Sequence, residues 1–155
     1  MKRQISLIIS IIIGVHLCAQ TNTVKIKKHN NIKKSSVVYF NYKGLIDTTC
    51  AIVNGKVYEL GALNNFKDSL RPLINVKVKV EQNNQAISTN KNGEFIIGVQ
   101  NGVFTLLIEK EGYEPLRISN YASVSGRISF TKIILVKGKD LQTFEIPNSS
   151  QRWFR

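Results

Sequence analysis

The chain has 155 residues, of which 43% are hydrophobic and 21% are charged, so it can form one packed domain with appendages. Twenty-two Lys and Arg against ten Asp and Glu give a formal charge of +12. Three Pro and two Cys exclude a collagen-like chain and a dense disulfide scaffold, and two Cys with two His leave few ligands for a transition metal.

The first residues, 1–19, have the pattern of a secretory signal peptide. A positively charged start precedes the almost wholly apolar stretch Ile5–Val15, and Leu17, Cys18 and Ala19 follow it. The apolar stretch is shorter than the roughly twenty residues of a membrane span. We predict export with cleavage after Ala19. The alternatives are lipidation of Cys18, which normally requires a smaller residue than Leu17 before it, and an uncleaved anchor.

Residues 20–49 are predicted to form a basic leader and linker. Residues 20–36 contain five Lys and no acid, a composition that is typical of a solvated segment. Val37–Phe40 is predicted to be a short strand that docks on a sheet and ends at Lys43-Gly44. Tyr42–Thr49 is predicted to be the linker to the domain.

The two cysteines give little indication of function. If Cys18 leaves with the signal peptide, Cys50 has no partner for an internal disulfide, and its place beside an apolar run indicates a small buried residue. The alternative is a reactive thiol or an intermolecular bridge. A thiol protease would also need a His, and His29 lies in the leader.

From residue 50 the sequence predicts short β-strands separated by turns. Val76, Val78 and Val80 alternate with charged residues, which is the clearest period-two pattern in the chain. Asn92-Gly93 suits a hairpin turn. The other predicted strands are Ile52–Leu60, a returning segment Gln85–Thr89, Glu94–Val99, Val103–Glu109 with Phe104, Leu106 and Ile108 on one face, a short Leu116–Ser119 and a long Ile128–Val136.

No stretch of ten or more residues shows helical periodicity, so the pattern favours an all-β antiparallel sandwich. Residues 50–138 are the predicted domain, and residues 139–155 are a predicted C-terminal tail. Between two of the strands, Gly61–Arg71 is a polar insertion.

Four sequence pieces resemble the carboxypeptidase regulatory-like domain. They are Gly55-Lys56-Val57, Pro72-Leu73-Ile74-Asn75-Val76-Lys77-Val78, Ser88-Thr89-Asn90-Lys91-Asn92-Gly93-Glu94-Phe95 and Gly112-Tyr113. The resemblance covers roughly residues 51–137. It departs from the family pattern in the long segment between Val57 and Pro72, in Asn90 where Asp is common, and in Ile74-Asn75 where Gly-Ala is common.

The resemblance implies a seven-stranded Greek-key β-sandwich of the prealbumin (transthyretin-like) type, and it implies no enzymatic activity. Members of that family accompany metallocarboxypeptidase domains or precede the plug of TonB-dependent receptors. The related hydroxyisourate hydrolases use a His and a Tyr-Arg-Gly-Ser ending that this chain lacks, and an adhesin-type Lys–Asn cross-link from Lys56 would need an Asn in Ile128–Val136.

We expect no catalytic, cofactor-binding or metal-binding residues. Glu109, Glu111 and Glu114 flank Gly112-Tyr113, and we interpret this segment as a solvated loop. The alternative is that these glutamates form an acid pair or a cation site. Calcium-loop, phosphate-loop and nucleophile-elbow motifs are absent from the sequence.

The charge is concentrated in the leader, since residues 20–44 hold six Lys and no acid, while residues 50–138 hold 11 bases and 7 acids. We therefore expect no nucleic-acid partner, and contact of the leader with an anionic membrane surface is the alternative to a merely solubilising role.

The sequence predicts an exported accessory or binding module of the cell envelope, periplasmic or secreted or outer-membrane associated. It would recognise a protein or glycan through Gly61–Arg71 and the loop Asn120–Arg127. The alternatives are a structural protein that assembles through edge strands, with Val37–Tyr42 as a donated strand, and a small transthyretin-like hydrolase.

Overall fold

The computed structural model describes residues 24–25, 33–45, 50–60 and 70–147, and the regular structure within them is β-strand throughout. Eleven strands in these ranges form two sheets. In chain order they are β1 Val24–Lys25, β2 Ser36–Leu45, β3 Ala51–Leu60, β4 Leu70–Pro72, β5 Lys77–Val80, β6 Ala86–Ser88, β7 Glu94–Val99, β8 Gly102–Glu109, β9 Leu116–Ser123, β10 Arg127–Leu135 and β11 Gln142–Glu145.

The first sheet has six strands in the order β1-β2-β10-β3-β4, with β7 also paired to β3. Strand β10 is antiparallel to β2 and parallel to β3. On its other edge β3 is shared between two antiparallel partners. Its residues Ala51–Lys56 pair with β7, and its last three residues pair with β4.

The second sheet has five strands in the order β11-β9-β8-β5-β6, and β11 is parallel to β9 while the other pairs are antiparallel. The predicted all-β sandwich is confirmed. The prediction of seven strands, all antiparallel, is wrong, because alternation and turn residues reveal strands but not which strands become neighbours. The prealbumin-type Greek-key topology stays a prediction.

The core lies between the two sheets and is built from their inward-facing positions. Val76, Val78 and Val80 are at most 3% exposed, which confirms the period-two prediction. Leu106 and Ile108 of β8 are fully buried in the same cluster. Each such side chain contributes roughly 1.5–3 kcal/mol relative to an exposed one, so the alternation is the main source of stability.

Two polar anchors hold β2 and β9 in place. The Ser35 hydroxyl donates to the Glu114 carbonyl oxygen over 3.0 Å and accepts the Val136 N–H over 2.9 Å, which fixes the start of β2. Tyr121 of β9 is fully buried, and its hydroxyl is 2.8 Å from the Ser129 hydroxyl and 2.7 Å from the Thr131 hydroxyl on β10.

The N-terminal strand is longer than its sequence predicts. Strand β2 includes Lys43-Gly44, where we expected it to end, and Tyr42–Leu45, which we assigned to the linker. The reason is tertiary, because β10 pairs with β2 from Ser36 to Leu45 and supplies hydrogen bonds that outweigh the turn preference of Gly44. The remaining linker residues, 46–49, lie outside the described residues, as does the predicted signal peptide 1–19.

Two C-terminal predictions also need correction. The predicted loop Asn120–Arg127 is wrong, because β9 continues to Ser123 and only a turn separates it from β10. Asn120 has a φ of 55°, and the register between β8 and β9 shifts near it, so a bulge interrupts the alternation on which the sequence prediction relied. The predicted tail is wrong for Gln142–Glu145, which form β11, and Ile146 beyond it is 1% exposed.

Candidate functional site

The structure tests only one of the two surfaces predicted from the sequence, and that one provides no site. In the insertion Gly61–Arg71, residues 61–69 lie outside the described residues, and Leu70 and Arg71 belong to β4. In Asn120–Arg127, Tyr121 is fully buried and Ala122 is 1% exposed, so these residues serve the core.

The three glutamates around Gly112-Tyr113 do not converge on a common point. Glu109 of β8 lies opposite Lys77 on the neighbouring strand β5, and Glu111 is exposed in the turn after β8. Glu114 accepts the Ser35 N–H over 3.0 Å at the start of β2, so its carboxylate has a structural role. Within the described ranges, no group of three or more His, Cys, Asp or Glu could hold a metal ion.

A Tyr–Glu pair lies at the end of β3. The Tyr113 hydroxyl donates to the Glu59 carboxylate over 2.5 Å, in a cleft of about 350 Å³ that Arg71 and Lys137 also line. Burial, then the hydrogen bond and negative charge of Glu59, raise the pKa of Tyr113 to about 12. A phenol with that pKa stays protonated at neutral pH, so it acts here as a hydrogen-bond donor and not as a base.

Cys50 corrects another expectation. It precedes β3 and is exposed, whereas the sequence indicated a buried residue. Its carbonyl oxygen accepts the Gly126 N–H over 3.1 Å, so the backbone at this position ties the start of β3 to the turn before β10. The place of Cys50 before the first inward position, Ala51, explains why its side chain misses the core.

The most distinctive surface is the edge of the first sheet formed by β7. This strand pairs with β3 and with no other strand of the part of the chain that the structure describes. Its sequence is apolar from Phe95 to Val99, and Ile96 is 58% exposed. Edge strands are usually protected by charge, proline or shortness, and the middle of β7 has none of these protections.

The backbone of β7 offers hydrogen-bonding groups to the open side. The Val57 N–H donates to the Gly93 carbonyl over 2.8 Å, so Gly93 and every second residue after it face β3. Glu94, Ile96 and Gly98 therefore direct their N–H and C=O groups outward. The hairpin turn uses the backbone groups of Glu94. Its carbonyl oxygen accepts the Asn90 N–H, and its N–H donates to the Asn90 side-chain oxygen. Ile96 and Gly98 keep theirs at the open edge.

A cleft of about 450 Å³ runs along this edge. Ile87 and Ser88 of β6 line one side of it, and β7 lines it with Glu94, Phe95 and Ile96. Its other lining residues come from β3, β10 and the hairpin turn: Asn54, Lys56, Phe130 and Asn90. Ile87 is 37% exposed, so two isoleucines from different sheets present apolar surface to one cleft. We call it the edge cleft.

The charges in the edge cleft balance each other. The Lys56 ammonium and the Glu94 carboxylate are 3.4 Å apart. A hydrogen bond from Asn90 and then the one from Lys56 lower the pKa of Glu94, so it is ionised at neutral pH. An occupant of the edge cleft therefore needs no net charge of its own.

The turn that begins β7 is fixed by the side chain of Asn90 and by the glycine at position 93. The Asn90 side-chain oxygen accepts the N–H groups of Asn92 over 2.9 Å and of Glu94 over 3.0 Å. Gly93 has a φ of 73°, and a Cβ on it would lie 2.5 Å from the Val57 carbonyl oxygen. The sequence prediction of a turn at Asn92-Gly93 is confirmed, and this turn places Phe95 with its ring against Gly55.

Sequence reasoning missed the edge cleft although β7 was predicted correctly. The signal was available in Glu94–Val99, where the outward positions should be polar and Ile96 is not. A single apolar residue at an outward position is common on protein surfaces and does not by itself predict a site. Ile96 indicates a binding surface only because Ile87 and the open edge of β7 lie beside it.

Comparisons with known proteins do not assign this chain to a family. No family model and no curated protein matches it. Among solved structures, it is similar to a chain of a C-terminal interface mutant of a type II cohesin–X-dockerin complex from Acetivibrio cellulolyticus, with 19% identity and a TM-score of 0.44. That similarity covers 58% of this chain and 60% of the other, so the match extends over less than two thirds of either.

One negative finding concerns membranes. The described part of the chain contains no helix long and apolar enough to cross a bilayer.

Proposed function

We propose that the protein is an exported, non-catalytic β-sandwich module that binds an extended segment of a partner protein along β7. Export rests on the pattern of residues 1–19, and the membership in the carboxypeptidase regulatory-like family rests on the four sequence pieces given above. The observation that carries the binding proposal is the edge cleft beside an unpaired strand edge.

Strand addition is the binding mode that suits this geometry. The backbone groups of Ile96 and Gly98 provide donors and acceptors for an added strand, and a Cβ on Gly98 would meet no atom within 4 Å. A partner segment would gain main-chain hydrogen bonds from β7 and side-chain contacts from Ile96 and Ile87. Such a strand would extend the first sheet to the position that faces β6.

The occupant is an extended segment that does not already belong to a sheet. A second copy of β7 would bring only Ile96, because its Phe95 and Ile97 are 2% and 3% exposed in their own core. An unattached segment presents both faces, so adjacent apolar residues can contact Ile96 on one side and Ile87 on the other. The balanced Lys56–Glu94 pair suits an uncharged segment.

The test is an array of uncharged peptides of about six residues, the length of a typical strand, with two adjacent apolar residues at varied positions. We expect the full chain to bind a subset of them and to protect the amides of Ile96 and Gly98 from hydrogen exchange. Ile96→Pro removes the outward N–H and spares the pairing with β3, so it should abolish binding. Ile96→Lys should weaken it by removing the apolar contact.

Val103→Lys is the matched control, since Val103 is 61% exposed on β8 and lies outside the edge cleft. It should bind like the unmodified chain. Unchanged binding in Ile96→Pro would overturn the proposal. So would a concentration-dependent dimer that Ile96→Pro dissociates while no peptide binds, since that result identifies a second copy as the occupant.

A further inference from the structure

A second cleft, of about 220 Å³, opens at the end of the sandwich where the turn after β5 approaches the turn between β7 and β8. Four amide side chains line it: Gln82, Asn83, Gln100 and Asn101. The rest of the lining is apolar or glycine, and none of the lining residues is ionisable. We call it the amide cleft.

The amide groups are held by their oxygen atoms. The Gln82 side-chain oxygen accepts the Thr105 N–H over 3.0 Å, and the Asn101 side-chain oxygen accepts the Ser125 N–H. An amide that accepts through its oxygen still carries an NH₂ group with two donors. The oxygen contacts restrain the side chains of Gln82 and Asn101, and both residues line the cleft.

An apolar wall accompanies these donors. Val103 lines the cleft and is 61% exposed. Phe104 also lines it at its base, where it is 6% exposed and its ring is fixed by stacking on the buried Tyr121 with centroids 5.0 Å apart. Donors on restrained side chains next to an apolar surface match a sugar ring, which has hydroxyl groups at its edge and C–H groups on its faces.

We propose that the amide cleft binds one residue of a neutral saccharide. The absence of ionisable groups from its lining is the deciding observation, because residues 50–138 hold 11 bases and 7 acids and none of these lines the cleft. An anionic ligand would find no counter-charge there. The volume lies below the roughly 300–1,000 Å³ of pockets for drug-sized ligands, which suits a single sugar residue.

This site is independent of the edge cleft, so its test does not depend on peptide binding. The full chain, labelled with ¹⁵N, is titrated separately with glucose, galactose, mannose and N-acetylglucosamine disaccharides and with glucuronate. We expect at least one neutral disaccharide to shift the side-chain NH₂ signals of Gln82 and Asn101, with a dissociation constant on the order of 1 mM. Glucuronate should shift neither.

Gln82→Glu and Asn101→Asp keep the oxygen that accepts the backbone N–H and replace the NH₂ donors with a negatively charged oxygen, a change of charge that the control variant shares. Each should weaken binding tenfold or more. Asn84→Asp is the matched control, because it makes the same chemical change in the adjoining turn at a residue that does not line the cleft. No response to any neutral sugar, stronger binding of glucuronate, or equal binding by all three variants would each overturn the proposal.

Discussion

The two sides of the sandwich are built in opposite ways. On one side β2 contacts β11, and Val37 of β2 and Ile146, which directly follows β11, are at most 1% exposed. On the other side β7 and β6 leave the edge cleft between them, with Ile96 and Ile87 exposed. We call them the closed side and the open side. Within the described residues, β2 and β11 cover the apolar surface on the closed side, and no strand covers it on the open side.

Because of this difference, we expect substitutions on the closed side to affect stability and substitutions on the open side to affect binding. Residues on the closed side are buried by the chain itself, so changes there should alter the free energy of unfolding. Outward residues on the open side contact little of their own chain, so changes there should alter binding and leave folding intact. The hairpin turn that begins β7 is the exception, because it holds the open side in shape.

The largest expected effect is on the closed side. Ile146→Ala should lower the free energy of unfolding by about 4 kcal/mol, because it leaves a cavity under β11. Ile96→Ala, the same substitution on the open side, should cost less than about 0.5 kcal/mol. Urea unfolding of both variants measures the contrast. Equal losses would show that the two sides do not differ as the burial indicates.

The next effect distinguishes two glycines of the open side. Gly93→Ala should destabilise by about 3 kcal/mol, because Ala resists a positive φ and its Cβ would press on the Val57 carbonyl. Gly98→Ala should change stability little, since no atom lies within 4 Å of the added Cβ. Thermal unfolding of the pair would contradict the assigned turn if Gly98→Ala proved the more damaging.

A smaller effect should come from Tyr121 in the core between β9 and β10. Tyr121→Phe leaves the hydroxyls of Ser129 and Thr131 without this partner and should cost about 2 kcal/mol at neutral pH. The Tyr121→Phe, Ser129→Ala, Thr131→Val triple variant should recover part of that loss, because it also removes the two hydroxyls that lose Tyr121 as a partner. Chemical denaturation of both variants provides the measurement.

Tyr121 also predicts a loss of stability at high pH. Burial raises its pKa from 10.0 to about 12. Below pH 10 it is protonated in both states, and its contribution to stability is fully present. Between pH 10 and 12 the unfolded chain loses the proton first, so the free energy of unfolding should fall by about 1.4 kcal/mol per pH unit. In Tyr121→Phe that part of the slope should vanish, and an unchanged slope would exclude Tyr121 as its source.

The smallest expected effect concerns the anchor of β2. Ser35→Ala removes the acceptor of the Val136 N–H and the donor to the Glu114 carbonyl, and should cost about 1 kcal/mol. Hydrogen exchange of β2 amides should accelerate in this variant, while the amides of β5 and β8 keep their protection. Uniform acceleration in all strands would mean that Ser35 does not act locally on the closed side.

The core strands and the hairpin turn before β7 were predictable because the local sequence pattern agrees with the structure there. The alternation of Val76, Val78 and Val80 and the Asn92-Gly93 turn each predict one structure for a local physical reason. Strands β2 and β9 were predicted too short, and β1, β4 and β11 were missed because the sequence assigned their residues to the leader, the insertion and the tail. β2 and β11 each add to the edge of a strand that the sequence had already identified, so their pairing partners lie far away in the chain. A bulge at Asn120 hid the extension of β9.

The edge cleft and the amide cleft were not predictable from local pattern. Ile96 and Ile87 belong to different sheets, and Gln82 and Asn101 belong to different turns, so their proximity depends on the folded chain. Asn120–Arg127 was chosen as a loop, and the structure shows that its first four residues belong to β9.

The sequence by itself determined that this chain forms strands with one apolar face each, because side chains alternate between the two faces of a strand. It also determined where the hairpin turn before β7 lies, because Gly93 tolerates a positive φ. Only the tertiary structure decided which strands lie next to each other, and with that which edge has no neighbouring strand among the described residues. Pairing depends on backbone groups that every residue shares, so it leaves little trace in the order of the side chains.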